Sequence, residues 1–596
     1  MGLMQRAVET YDCMEKAGYV GKLREGHEVL APVSHILTSA QIEITIDGEG
    51  HFVSAVAVDK SEPKIAIPVT EDSGGRTSAP CAHPLCDQLV YLAPYHKEKH
   101  GLYLDQLQKW NDSSFSHPKL KPILNYVKQG TILTDLEQAG ILSLDSDGKP
   151  TKEKMLVRWR LTGMGEQSGP CWTDQSLFQS FISYYESLQS GQEEVLCMIS
   201  GETAVTAKQH PKGIISNYGN AKLISSNDTS GFTYRGRFMD ESQAETISYR
   251  ASQKAHNALR WIASEQGVSL IYGGRIFLCW NPQGKPLLHP GRPGPKLKKQ
   301  QTEPSDYRDQ LKHTLEGFKK DAQLTGNETA VIAAFDAATT GRLSLTYYNE
   351  LRSSDFLDCL RRWDSRCCWW NRQFGIQTPP LWQIVNCAFG TQRTEKGKSV
   401  LKTDDRVMKQ QMQRLISCRV DSAAMPFDLV KALANRASTP QAYERLVWEE
   451  ILFTACAAIN CYMKEEDCMA WELDRKDRSF QFGRLLAVMD RAERDFYYRT
   501  QEDKRETSAM KRMSAFRQHP MHIYEEINRH LYDAYLSRIE VWQKKRYEKL
   551  RDEIIGIIMQ IAEEDIDKPL KDTYLLGYSR QRQEFFKSKN DQDTEE

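Results

Sequence analysis

Apolar residues fall at every second position early in the chain and at helical spacing late in it. Ile42, Ile44 and Ile46 alternate with polar neighbours, Asp47-Gly48 marks a turn, Phe52 to Val58 gives a second run, and Ile65, Ile67 and Val69 give a third. That pattern predicts a small antiparallel sheet. Leu85, Leu89 and Leu92, then Leu102 to Trp110 and Ile123 to Leu142, repeat at helical spacing. Lys154 to Leu161 reads as a strand, Phe178 to Leu188 as an amphipathic helix and Val195 to Ile199 as a buried strand. From Gln209 to Trp280 a polar loop leads into the helix-like run SQAETISYRASQKAHNALRWI and then into VSLIYGGRIFLCW. Apolar runs on both sides of Gly273-Gly274 signal a two-residue hairpin turn that needs positive φ.

After Trp280 the composition changes to NPQGKPLLHPGRPGPKLKKQQTEPSD, whose prolines cannot sustain a ladder or a helix, so it reads as a linker. Asp306 to Phe318 is helical in pattern, Ala330 to Ala338 is an apolar run, and Arg342 to Tyr348 alternates like a strand. From Asp355 the pattern is largely α, taking in Phe356, Leu360, Trp363, Trp369 and Trp370, then Trp382 to Phe389, Met408 to Leu415 and Pro440 to Met463. Large aromatics at this spacing are core more often than base-stacking platforms. Ile523, Ile527, Leu531, Tyr535, Trp542, Leu550, Ile554 and Ile558 mark long amphipathic helices at the C-terminus. The expected class is α+β: a mixed antiparallel-sheet and helix region over 1–281, a linker over 282–304, a mainly helical middle over 305–470 and a C-terminal helical bundle over 471–596.

Composition narrows the function. A chain of 596 residues, 40% hydrophobic and 27% charged, has enough apolar material for two to four globular domains. Its formal net charge of −1 requires any nucleic-acid surface to be local and offset elsewhere. Nineteen Lys and Arg stand against twelve Asp and Glu between Arg475 and Arg551, and six against twelve from Asp552 to Glu596. A bundle with one positive end can track a nucleic-acid strand through its phosphates, although salt-bridged helices give the same composition. The N-terminus carries no signal-like apolar run, and no stretch approaches the roughly 18 apolar residues of a membrane span, so a cytoplasmic protein is expected. The fourteen cysteines lie scattered, as reduced structural thiols do, and Cys81, His83 and Cys86 lack a second ligand pair at zinc spacing.

No catalytic constellation stands out, and no cofactor or metal is implied. None of the fourteen histidines precedes an Asp, and Gly397-Lys398-Ser399 has Gln392 where a phosphate loop requires glycine. Neither a zinc-protease helix nor a nucleophile elbow occurs. A binding protein is therefore expected rather than an enzyme. The candidate binding chemistry sits in two polar segments. One is the loop from Thr70 to Ser78, where Gly74-Gly75 permits close backbone approach and Arg76 offers a bidentate fork; a solvated surface arginine is the plain alternative. The other is the stretch rich in Asn, Gly and Lys that opens at Gln209.

The same segments carry a resemblance. The order NAKLISSN, ALRWI and GGRIFLCW, with IPVTEDSGGRTSAPCAHPLCDQLVYL upstream and LDRKDRSFQFGRLLAVMDRAE downstream, resembles the Csd-type large subunit of type I-C CRISPR effector complexes, the Cascade machinery, over nearly the whole chain. The resemblance implies a subunit that recognises a protospacer-adjacent motif in double-stranded DNA, starts unwinding and R-loop formation, and helps recruit a separate helicase-nuclease. Guide RNA pairing would carry sequence specificity. The implied partners are the guide CRISPR RNA, the backbone and foot subunits, small-subunit copies made from the C-terminal region with Met469 as an internal start, the target DNA and its displaced strand, and no membrane. On this basis Asp72, Ser73, Arg76, Thr77, Asn217, Asn220, Lys222, Asn227 and Arg235 are the DNA-contacting candidates. Gly273, Gly274 and Arg275 form a candidate strand-separating wedge. Arg475, Arg478, Arg484, Arg491, Lys511 and Arg512 are candidates for holding nucleic-acid backbone. A non-catalytic scaffold that binds RNA or protein without reading the motif is the alternative.

Overall fold

A computed structural model describes residues 1–76, 79–225, 241–295, 297, 303–463, 472–502, 505–561 and 565–592. Helices make up about 50% of it and strands 17%, with sheets toward the N-terminus and helices toward the C-terminus, so the fold is α+β. Two compact units result. The first comprises Met1–Leu270, Arg275–Leu287 and Ala330–Glu350; the second comprises Ile271–Gly274, Leu288–Thr329 and Leu351–Glu596.

These units do not follow the boundaries expected at 281, 304 and 470. Strand Arg275–Trp280 pairs antiparallel with Thr329–Thr339, setting Ile276 opposite Phe335 and Leu278 opposite Ala333. The ladder extends to Arg342–Arg352 on one side and Ser269–Tyr272 on the other. An apolar strand must find its backbone partners wherever they lie. Here they lie beyond the proline-rich segment, so the chain passes into the second unit after Leu287 and returns to the same sheet at Thr329–Thr339. At the other end, helix Thr573–Gln592 packs on Arg478–Arg499 and on Arg445–Met463. A Cβ on Gly483 would strike the Tyr574 carbonyl, and one on Gly577 the Phe480 carbonyl, so the first two of these helices touch backbone to backbone. The Trp369 indole also donates to Ser579 Oγ at 2.9 Å. The middle and C-terminal helices accordingly share one unit.

The first unit is built on strand Ile42–Ile46, which pairs antiparallel with Phe52–Ala57 and parallel with Val157–Leu161. The sheet is thus mixed. The third apolar run, Ile65–Pro68, leaves it and pairs with His35–Thr38. Alternation identified the strands but not their partners, because each run is buried irrespective of its neighbour. Trp110, Tyr126, Trp159 and Phe181 close this core. A second core joins helix Leu3–Lys16 and helix Tyr249–Ser264 to the Arg275–Trp280 sheet, with the Trp280 indole donating to Thr10 Oγ1 at 3.1 Å.

Three local expectations are corrected. Glu194–Leu196 is an open two-stranded ribbon, with Leu196 64% exposed. Trp369 and Trp370 lie on a short strand and are buried. Helix Arg445–Met463 is long and apolar enough to cross a membrane, yet it is mostly buried against neighbouring helices, as befits a core helix.

Three buried histidines give the first unit a directional response to acid. Burial pulls His35 and His83 down to about 4, and burial together with the neighbouring His210 pulls His256 to about 3. An unfolded histidine takes its proton near pH 6.5, so stability is intact above that value and falls as pH drops from 6.5 toward 4. His35 also packs edge-on against Phe178 and Phe181. His35→Phe is expected to move the acid-unfolding midpoint, followed by tryptophan fluorescence, to lower pH; a midpoint that stays or rises contradicts this.

Candidate nucleic-acid interface

Two loops remote in sequence meet in the first unit around a cavity of about 300 Å³. The first follows strand Ile65–Pro68 and is no open loop. Thr70 caps a short helical turn, Glu71–Gly75, accepting the Ser73 amide at 3.1 Å while Ser73 Oγ accepts the Thr70 amide at 3.0 Å. Ser73 is therefore buried as a cap, whereas Asp72 is exposed. Arg76 spends its fork internally. It donates to both oxygens of Asp87, at 2.9 and 2.6 Å, and to the Cys81 carbonyl at 2.6 Å, and it stacks over Tyr91. Asp87 is fully buried. Removing one partner from such a pair costs about 3–5 kcal/mol, which marks Arg76 as a brace in this conformation. Thr77 lies outside the described residues.

The second loop is closed on itself. Lys212 and Lys222 form an antiparallel bridge, the Gly213 amide donates to the Ala221 carbonyl at 3.0 Å, and Ser216–Tyr218 makes a single tight turn. Gly213 has φ 75°, and a Cβ there would lie 2.9 Å from the Gly219 carbonyl, so glycine is required. Lys222 is held further by the 341–343 turn, donating its amide to Gly341 and accepting from Leu343. Asn220 and Gly219 are exposed at the tip. Asn217 lies in the tight turn and its side chain is outside the description, as are Asn227 and Arg235 altogether.

What holds the loops together was not visible in the sequence. The Glu71 carboxylate, raised in pKa by burial, accepts the Lys208 and Gln209 amides at 2.9 and 3.2 Å. From helix Tyr249–Ser264, Arg260 donates to the Lys212 carbonyl at 2.7 Å and to the Gly213 carbonyl at 3.1 Å. The buried His210 bridges Ser252 at 2.8 Å and Glu245 at 3.0 Å. Loop and helix are thus fixed by side chains whose partners lie about 40 to 140 residues away, a distance that no local motif reports. The product is a pair of adjacent lysines with no carboxylate partner among the described residues. Burial, then the charge of Lys212, lowers the Lys222 pKa.

The wedge candidates differ. Gly273 and Gly274 have φ 53° and 81°, as a tight hairpin turn demands. The tip groups with the second unit, where a Cβ on Gly273 would strike the Asp405 carbonyl, and Arg275 pairs with Asp336 at 2.9 Å with both side chains mostly buried. The tip is packed rather than projecting.

A family model described as CRISPR-associated protein (Cas_Csd1) matches residues 8–586. The chain belongs to the Cas_Csd1 family. It is a CRISPR-associated Cascade subunit. None of the curated proteins matches it.

In this Cas_Csd1 chain the C-terminal cations divide by burial. Arg484 is 2% exposed and donates to Gln581 and to the Leu473 carbonyl; Arg478 donates to the carbonyls of Ile566, Lys568 and Pro569; Arg475 lies beside Asp477. Arg484 and Arg478 stitch the second unit internally by donating to backbone carbonyls, whereas Arg475 pairs with the carboxylate two residues on. Arg491 pairs with Asp495 and Arg512 with Glu526, while Lys511 is exposed. Among the described residues no cluster of three or more His, Cys, Asp or Glu is placed to hold a metal, and His83 and Cys86 are buried.

If Glu71 holds the second loop, Glu71→Ala should speed amide hydrogen exchange across 208–222 about tenfold, the equivalent of ~1.4 kcal/mol for the lost hydrogen bonds, with helix Tyr249–Ser264 unaffected. Unchanged exchange across 208–222 contradicts this role.

Proposed function

We propose that this Cas_Csd1 chain is the large subunit of a type I-C Cascade that recognises the protospacer-adjacent motif and is non-catalytic and cytoplasmic. The observation that carries the reading is the braced pair of Lys212 and Lys222 beside the exposed Asn220, with Lys212 lining one cavity together with the capped turn at Glu71–Gly75. Unneutralised lysines seek phosphate or the acceptor edges of bases, and a loop held by Glu71 and Arg260 loses little entropy on binding. Motif readout is therefore assigned to Lys222, Lys212 and Asn220, with Asp72 at the rim and Arg76 as the brace beneath. Holding the duplex there favours local opening, R-loop formation by the guide RNA and recruitment of a separate helicase-nuclease. In the second unit, Lys511 and Arg512 are the surface cations offered to nucleic-acid backbone. Small-subunit copies would start near Met469, which lies outside the described residues.

The test is the complex assembled with guide RNA and backbone subunits, given duplexes that differ only beside the guided site. Lys222→Ala and Lys212→Ala should each weaken binding about tenfold or more on correctly flanked targets alone, in keeping with ~1–3 kcal/mol per base-edge contact. Uniform loss across all duplexes with a shallower salt dependence means phosphate contact without readout, and unchanged affinity refutes the assignment.

A further inference from the structure

A cavity of about 870 Å³ lies within the second unit. Its walls come from the Trp369–Asn371/Gly375–Gln377 hairpin, the first turns of helix Arg445–Met463 and helix Thr573–Gln592. Trp370, Phe374, Phe453 and Phe586 line it, and Phe374, at the hairpin turn, is 50% exposed. Leu446 at the rim is 85% exposed. So open an apolar rim is unusual beside buried aromatics.

Two charged groups lining this cavity have no side-chain partner among the described residues. Glu449 is occupied by Arg582, but the adjacent Glu450 carboxylate is half-buried and accepts no hydrogen bond from any described residue. Burial holds its pKa above the usual carboxylate range. Arg445, an exposed residue lining the cavity, makes no ion pair among the described residues; partial burial of its guanidinium and then the charge of Arg494 lower its pKa against the opposing pull of Glu449. A half-buried carboxylate seeks N–H donors, and a crowded guanidinium seeks an anion.

We infer that this cavity accepts an amino-bearing nucleobase, its ring against Phe374 and Phe453, its exocyclic amine donating to Glu450 and its phosphate meeting Arg445 at the mouth. A nucleotide joins an apolar plane, a donor edge and an anion in one covalent unit, and its volume suits a cavity of this size. A basic peptide would satisfy Glu450 but face Arg445 and Arg372 at the entrance; an acidic one would satisfy Arg445 and be repelled by Glu450. The inference rests on the proposed function only in that it makes nucleic acid available. The shared chemistry admits a free nucleotide or an unpaired base of a strand.

The probe is 2-aminopurine, whose fluorescence is quenched by stacking, presented to the purified full chain as the 5′-monophosphate, within a single-stranded octanucleotide, and within the same strand annealed to its complement. Quenching of the free nucleotide or of the single strand, but not of the duplex, is expected. Quenching of the nucleotide alone assigns the site to a soluble ligand, and stronger quenching in the strand assigns it to an extruded base. dAMP and dCMP should displace the probe at least tenfold better than dTMP, which lacks the amine. Phe374→Ala should weaken binding at least fivefold, and Glu450→Gln should erase the preference over dTMP, with unfolding midpoints held near wild type. No quenching at millimolar nucleotide, equal displacement by dTMP, or variants that bind as wild type overturn the inference. A complex blind to flanking motifs whose subunit still binds the probe would fail the proposed function and leave this site standing.

Discussion

The candidate interface depends on one guanidinium facing inward. Arg260, fixed on a helix, donates to two carbonyls of the loop in front of it, so the loop that carries Lys212 and Lys222 inherits the rigidity of the helix. Glu71 does the same from the other side by accepting two amides of that loop's entry. Backbone groups in an irregular segment must find partners or meet water, and here charged side chains supply them. The backbones at the two lysines can then stand side by side with no carboxylate among the described residues paired to either.

Much of the fold was legible in the sequence and the partnerships were not. Period-two alternation located the strands at Ile42–Ile46 and Ile65–Pro68, and the glycine pair located the hairpin before Arg275, because these are local properties. Which strand pairs with which is settled by burial between residues far apart in the chain, so the parallel pairing of Ile42–Ile46 with Val157–Leu161 and the return of Thr329–Thr339 to the Arg275–Trp280 sheet carry no short-range sign. The proline-rich stretch reads as a linker by composition, and the chain passes from the first unit to the second within it; the later return to the same sheet has no local sign.

The site behaves the same way. Lys222 and Asn220 stood out as polar residues among glycines, and they sit at an exposed loop. Arg76 stood out by the same logic and proved to be bound to a buried Asp87, since nothing in a local window shows that a carboxylate eleven residues on will fold back beneath it. Arg484 was drawn from a cationic count and lies in the interior, where helices that touch at Gly483 and Gly577 leave it backbone carbonyls and amides as partners. Lys212, Glu71 and Arg260 escaped notice because each matters through a distant partner. Net charge marks a region; burial decides which charges in it face outward.

The central claim is that the braced loop from Lys212 to Lys222 lies against DNA beside the guided site. The most direct measurement is photocrosslinking in the assembled complex, with a diazirine-bearing base placed in the flanking motif of the bound duplex and the attachment mapped by peptide mass spectrometry. The account predicts attachment within residues 212–222. Crosslinks confined to other subunits, or to parts of this chain away from that loop, would contradict it.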